Sequence, residues 1–273
     1  MKEINLCYAD MYNAGDLLNK DLVEKLSGKQ VKRCKTYNAD MIAIGGALFG
    51  LQYSNEAKRK FLQKLLSIVI KNKPLYVWGS GFLFNNSNNV FYRTNLKVCA
   101  LRGKKTKEKL ETITGKIYDV PLADAGLLID MFLDEEIEKV YEMGVIPHMS
   151  QKNEAAFLDL CKKDGVRMID IMQTPQQVIK EIAQCKCIVS SSLHGLIFAD
   201  SLHIPSMHVL GEKELMGGRF KFDDYYSSFD VIDKARPLSE YCPTVEDVIN
   251  NYEIDSEMVE LKKKQLIECF PEV

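Results

Sequence analysis

Short runs of β-branched and apolar residues alternate along this chain with longer stretches whose apolar positions recur at helical spacing. That alternation predicts parallel strands joined by crossover helices, an α/β chain. Strands are expected at Ile4–Tyr8, Met41–Ile44, Leu75–Trp78, Val98–Leu101 and Ile117–Val120. A second series is expected at Gly144–Pro147, Val166–Ile171, Cys187–Ser190 and Ser206–Leu210. The helix after the first strand begins near Asp16 and carries Leu17, Leu18, Leu22, Val23 and Leu26, close to the spacing that buries one face. Further helices fall near Glu154–Lys163, Gln176–Cys185 and Leu193–Leu202. Pro243 and Thr244 announce a helical stretch over Val245–Phe270. Around Asp124–Glu135 the pattern passes into an acidic helix. The chain therefore divides into two Rossmann-like domains, 1–128 and 129–273, with the C-terminal helix packing back on the first. A length of 273 residues is enough for two modest cores.

Composition narrows the partners. Lys and Arg number 36 against 38 Asp and Glu, a net charge of -2, so there is no general field to gather nucleic acid and any anion site must be built locally. The eight cysteines form neither a zinc pattern nor a disulfide framework, Cys185 and Cys187 being the one close pair. A reducing cytoplasm and no bound metal are the expectations. Met1–Asp10 reads as a strand with Lys2, Glu3 and Asp10 at its ends, unlike a signal peptide. The apolar run Leu65–Ile70 is far too short to cross a bilayer, so any membrane contact is peripheral.

In open parallel sheets, ligands sit beyond the carboxyl ends of the strands, which directs attention to four loops. Asn13-Ala14-Gly15-Asp16 follows the first strand, where Gly15 permits a tight turn and Asp16 suits a helix cap. Gly45-Gly46-Ala47 and Gly79-Ser80-Gly81 follow two more strands and offer backbone N–H groups to a substrate, or merely turn the chain. Neither makes a G-x-G-x-x-G fingerprint or a Walker loop, which counts against NAD and ATP. Arg102 ends a strand, and a guanidinium there suits a carboxylate or phosphate. Lys104, Lys105 and Lys107 behind it read as a solvated face or as cations for an anionic phospholipid surface. The most informative loop is the fourth. Buried strand Cys187–Ser190 runs into Ser191-Ser192-Leu193-His194-Gly195 and an apolar helix, which sets His194 at a helix N-terminus where backbone N–H groups and dipole favour an anion. The plain alternative is that the serines cap the helix and His194 packs. A serine hydrolase lacks its G-x-S-x-G elbow here.

The string Ser190–Gly195, with Ile204-Pro205 opening the next strand, resembles the signature of the polysaccharide pyruvyl transferase family. So do Asn13–Asp16, the two glycine loops, Arg102, Ile146-Pro147-His148 and Lys221-Phe222-Asp223-Asp224-Tyr225-Tyr226, in order over residues 4–230. The chain departs from the family where Gly-Gly-Gly is Gly45-Gly46-Ala47, Arg-Asp is Arg102-Gly103 and Gly-Asp-Pro is Ala123-Asp124-Ala125. The resemblance implies two Rossmann-like parallel-sheet domains in an arrangement like a GT-B glycosyltransferase. It implies a pyruvyl group moved from phosphoenolpyruvate onto sugar hydroxyls as a ketal in bacterial polysaccharide biosynthesis, without a cofactor and on a free or lipid-linked saccharide. By the same resemblance, Arg102, Lys221, His194, Ser192 and Gly195 hold the donor, with Arg219 standing in for Lys221. His194 is then the acid, and Asp16 orients or deprotonates the acceptor. Asn13, Gly15, Asp16, Gly45, Gly46, Gly79 and Gly81 line the acceptor side. His148 reaches the cleft with no assigned task, and His203 and His208 are structural. A glycosyltransferase using a nucleotide sugar, and a sugar-binding protein without catalysis, remain open at this stage.

Overall fold

A computed structural model describes residues 3–9, 11–86 and 90–273. Its described strands form two parallel sheets. The first contains β1 (Ile4–Cys7), β2 (Val31–Arg33), β3 (Met41–Ile42), β4 (Leu75–Val77) and β5 (Leu96–Val98), in the order β2-β1-β3-β4-β5. The second contains β6 (Tyr141–Ile146), β7 (Val166–Met168), β8 (Cys185–Ser190), β9 (Ser206–Leu210) and β10 (Arg236–Pro237), in the order β10-β9-β8-β6-β7. Read from its other edge, the second sheet repeats the first: second strand, first, third, fourth, fifth. Each half therefore reverses direction between its first and third strands, and that switch point opens a crevice at the carboxyl ends of β1 and β3, and of β6 and β8.

Helices α1 (Ala14–Ser27), α2 (Ala57–Val69) and α3 (Lys104–Thr114) belong to the first half. The second half has α4 (Ala155–Leu160), α5 (Pro175–Ala183), α6 (Leu193–Ser201), α7 (Phe220–Ser227), α8 (Val245–Asn250) and α9 (Ser256–Glu268). Local chemistry explains their ends. Asn13 caps α1 by accepting from the Asp16 N–H, and Gly28 closes it at φ 65°. Thr174 and Gln177 make a capping box before Pro175 of α5. Helix α6 is buried on nearly every side, which marks it as the helix between layers. Its Leu196, Ile197 and Phe198 share one apolar core with Leu18 and Leu22 of α1, Ile179 of α5 and Val259 of α9. The two sheets are thus clamped around a common centre.

Several boundaries differ from the sequence reading. The segment Ile117–Val120 forms no strand; only Leu122 beyond it pairs, in a single bridge to Leu101. The region near Asp124 is a 3-10 helix over Ala125–Phe132, capped by Asp124 and apolar rather than acidic. The C-terminal stretch is two helices, since Asp255 caps a new one by accepting from the N–H groups of Glu257 and Met258. Strands β2 and β10 are additional, both short and at sheet edges. Helix α9 returns to the first half: Trp78 Nε1 donates to the Leu266 carbonyl at 2.9 Å and Lys262 Nζ to the Leu122 carbonyl at 2.8 Å. Among the described residues no helix is long and apolar enough to cross a membrane.

Candidate active site

The carboxyl ends of the two sheets meet along a seam, and the seam is closed. The Ala14 N–H donates to the Ile171 carbonyl at 2.8 Å, fastening the start of α1 to the loop after β7. A Cβ placed on Gly15 would lie 2.0 Å from His194 Nδ1, so the glycine backbone lies directly against the imidazole. His194 is half-buried, but its Nε2 is sealed from solvent and has no hydrogen-bond partner. A buried polar nitrogen without a partner is costly and points to a ligand that is meant to meet it.

The serines divide the positioning work. Ser190 Oγ donates to the Ile146 carbonyl at 2.8 Å and accepts from the Ser192 N–H at 2.9 Å, which fixes the turn from β8 into α6. Ser191 Oγ accepts from the His148 N–H at 2.9 Å and so holds the loop after β6. Ser192 is the N-cap residue of α6, and its side chain makes no capping bond. Gly195 packs on Ser190, where a Cβ would come within 2.5 Å of Oγ. This local order brings His194 and His148 to adjacent strand ends.

The electrostatics then follow from crowding. Burial, reinforced by the charges of Lys221, Arg102 and His148, pushes the His194 imidazole down to about 3. Burial and Lys221 bring His148 to about 4. Lys221 itself falls to about 8 through burial and Arg102, with Asp16 pulling the other way. Burial lifts Asp16 to about 6 against the Asn13 hydrogen bond and the Lys221 charge. His194, His148, Lys221, Asp16 and Arg102 therefore sense one another across the seam, with both imidazoles neutral near pH 7. Burial dominates both shifts, and the Lys221 charge adds to each.

Three expectations need correction. Arg102 is not a free fork: it is 1% exposed, with Nε donating to Asp224 at 2.8 Å and Nη2 to the Phe82 carbonyl at 2.6 Å. Asp224 also accepts from Thr106 N–H at 2.7 Å and Thr106 Oγ1 at 2.6 Å. The second glycine loop likewise looks inward. The Gly79 N–H donates to the Ala100 carbonyl and the Gly81 N–H to the Gly45 carbonyl, both at 2.9 Å. A Cβ on Gly81 would strike the Arg102 guanidinium at 2.5 Å, and one on Gly46 would crowd Leu83 at 3.0 Å. Gly81 thus seats the arginine, and Gly79 and Gly81 spend their N–H groups internally; of these four glycines only Gly45, at φ 86°, has open space where its side chain would be. Arg219 turns to Asp233, which it meets at 3.1 Å, so it does not replace Lys221. Asp233 also pairs with the buried His208 at 2.9 Å, and exposed His203 with Glu260 at 2.9 Å.

One residue was overlooked. Asp124 is fully buried, accepts from the Gly126 N–H at 2.9 Å through Oδ1, and leaves Oδ2 without a partner. Burial lifts its carboxyl to about 6 against the Arg102 charge and that hydrogen bond, with Asp224 adding to the rise. The signal lay in Ala123-Asp124-Ala125, a string noted but given no role.

Residues 7–212 match the family model described as polysaccharide pyruvyl transferase. An uncharacterized protein, L143, of Acanthamoeba polyphaga mimivirus is 31% identical over 97% of this chain and 90% of that protein. The succinoglycan biosynthesis protein ExoV of Rhizobium meliloti is 24% identical over 59% of this chain and 49% of its own length. Among solved structures, the ADP-heptose lps heptosyltransferase II of E. coli aligns over 97% of this chain and 99% of that one, at 10% identity and a TM-score of 0.39. With its model matched across both sheets and through the His194 loop, the chain belongs to the polysaccharide pyruvyl transferase family.

Proposed function

We propose that the seam around His194 transfers a pyruvyl group from phosphoenolpyruvate to a saccharide, closing a ketal and releasing phosphate. Membership of the family gives the coarse class, a transferase with a saccharide acceptor. The donor and the chemistry are our reading. The observation that supports it best is the sealed, unpartnered His194 Nε2, on an imidazole that burial, with Lys221 and Arg102 adding to it, holds neutral.

A donor with adjacent phosphate and carboxylate would bring negative charge beside Lys221 and His194. Lys221 and the α6 N-terminus would hold it, and Arg102 would contribute its charge from below while staying bound to Asp224. The anion would then raise the His194 pKa and let the ring take up a proton. That proton passes to the methylene carbon of the enol phosphate, making a methyl group and an oxocarbenium-like centre. A sugar hydroxyl adds there and gives its proton to Asp16, whose pKa of about 6 suits a base near neutrality. Phosphate leaves with the electron pair of its C–O bond. A second hydroxyl closes the ketal, and its proton goes out with the phosphate. The eight free thiols fit a reducing compartment, so we assign the enzyme to the cytoplasm, with a free or lipid-linked acceptor.

The test is calorimetry of phosphoenolpyruvate binding in buffers of different ionisation enthalpy, beside phosphate release with an oligosaccharide acceptor. Binding should take up protons near neutral pH. His194→Gln should abolish that uptake, keep much of the affinity and lower turnover roughly a hundred- to ten-thousand-fold. Binding of a nucleotide sugar with none of phosphoenolpyruvate would overturn the proposal.

A further inference from the structure

Helix α2 is assembled with its apolar face outward. At about 100° per residue, Phe61, Leu62, Leu65, Ile68 and Val69 fall within an arc of about 120°. They are 61%, 57%, 49%, 74% and 82% exposed, and no residue of the helix is fully buried. The side facing the protein is the more polar one. Gln63 Oε1 accepts from the Ser54 N–H at 2.7 Å and its Nε2 donates to the Gln52 carbonyl at 3.4 Å, with Leu66 and Ser67 half-buried beside it. An ordinary surface helix does the reverse, burying its apolar stripe and wetting its polar one.

Charge identifies what covers the face. Lys58, Arg59, Lys60 and Lys64 lie on the helix and Lys71 just beyond it, with no acidic residue from 57 to 73 in a chain of net charge -2; Lys73 is taken up by Asp40 at 2.8 Å. Lys64 borders the apolar arc, Lys60 lies further round on the same side, and Lys58 falls within the arc's bounds in the first turn of the helix. A second copy docking through this face would bring one basic patch against its own copy, because a two-fold contact uses the same patch on both subunits. A bilayer with anionic headgroups accepts both parts at once. We propose that α2 is a membrane-surface anchor, its apolar arc entering the acyl boundary and its lysines meeting lipid phosphates. The lysines suggested by the sequence do not compete for this role: Lys104 pairs with Asp230, Lys105 with Asp223 and Lys107 with Glu111. The inference is independent of the donor and of the chemistry at His194.

Flotation with phosphatidylcholine vesicles, with and without phosphatidylglycerol, tests it. The wild-type chain should float with the anionic vesicles at low salt and be released by high salt. Leu65→Gln with Ile68→Gln should reduce binding by about tenfold or more while leaving circular dichroism and turnover on a soluble acceptor unchanged. Lys60→Gln with Lys64→Gln should weaken binding to the anionic vesicles only. Failure of the wild type to float overturns the proposal, as does a wild-type dimer in sedimentation that the Leu65/Ile68 substitutions convert to a monomer.

Discussion

A methyl group on Gly15 would sit 2.0 Å from His194 Nδ1, so a single hydrogen decides how closely the two halves approach. Gly15→Ala should therefore displace the imidazole and lower turnover by about tenfold or more, although alanine favours the helix by about 1 kcal/mol. Steady-state kinetics beside circular dichroism checks this; native turnover would mean that His194 leaves Gly15 freely during the reaction. The sequence placed both residues at strand ends, because a strand, a turn residue and an apolar helix are local signals. It did not reveal that they touch, which depends on how two sheets pack. Arg102 teaches the same point. Its position after a strand was legible, but its buried bond to Asp224 spans 122 residues and no local pattern encodes it. Asp124 was missed because a lone carboxylate between alanines looks the same whether it faces water or Arg102.

At the scale of elements, alternation of apolar runs with helical spacing was enough to recover most strands and the order of strand and helix. The failures have physical causes. Strand β10 is two residues long and includes Pro237, tolerable because it is an edge with one neighbour. Strand β2 has Val31 buried but Lys32 and Arg33 exposed, so it shows no apolar run. Helix α9 illustrates how an element can be legible while its function is not. Its Lys263, 6% exposed, donates to Asp130 at 2.8 Å, Ser201 O at 2.7 Å and Glu260 at 2.7 Å, tying the segment between the sheets to the end of α6. Lys263→Met should keep the packing but strand those acceptors, costing about 2 kcal/mol as a lower urea midpoint. No change in midpoint would show that water replaces the ammonium without loss.

For the whole molecule, two sheets of the same strand order bring their carboxyl ends together, and the seam's ionisation follows from that meeting. His148, depressed to about 4, must gain a proton when the chain unfolds in mild acid. Its contribution to stability is complete above about 6.5, its unfolded value, and is lost as pH falls towards 4. Asp16 and Asp124, both raised to about 6, work in the opposite sense, so the net profile alone cannot isolate either. A difference between variants can. His148→Gln should lose less stability than the wild type between pH 7 and pH 5 in urea titrations, and equal losses would mean that His148 is already protonated in the folded protein at pH 5.

The bond from Trp78 to the Leu266 carbonyl has an optical consequence. Trp78 is the chain's single tryptophan, wholly buried, one residue before Gly79 and 4.9 Å, ring centre to ring centre, from Phe270 just beyond α9. The molecule thus has one built-in fluorophore at the junction of its first sheet and its C-terminal helix. Its emission colour records whether that helix is seated, so the clasp can be watched in solution without attaching a label.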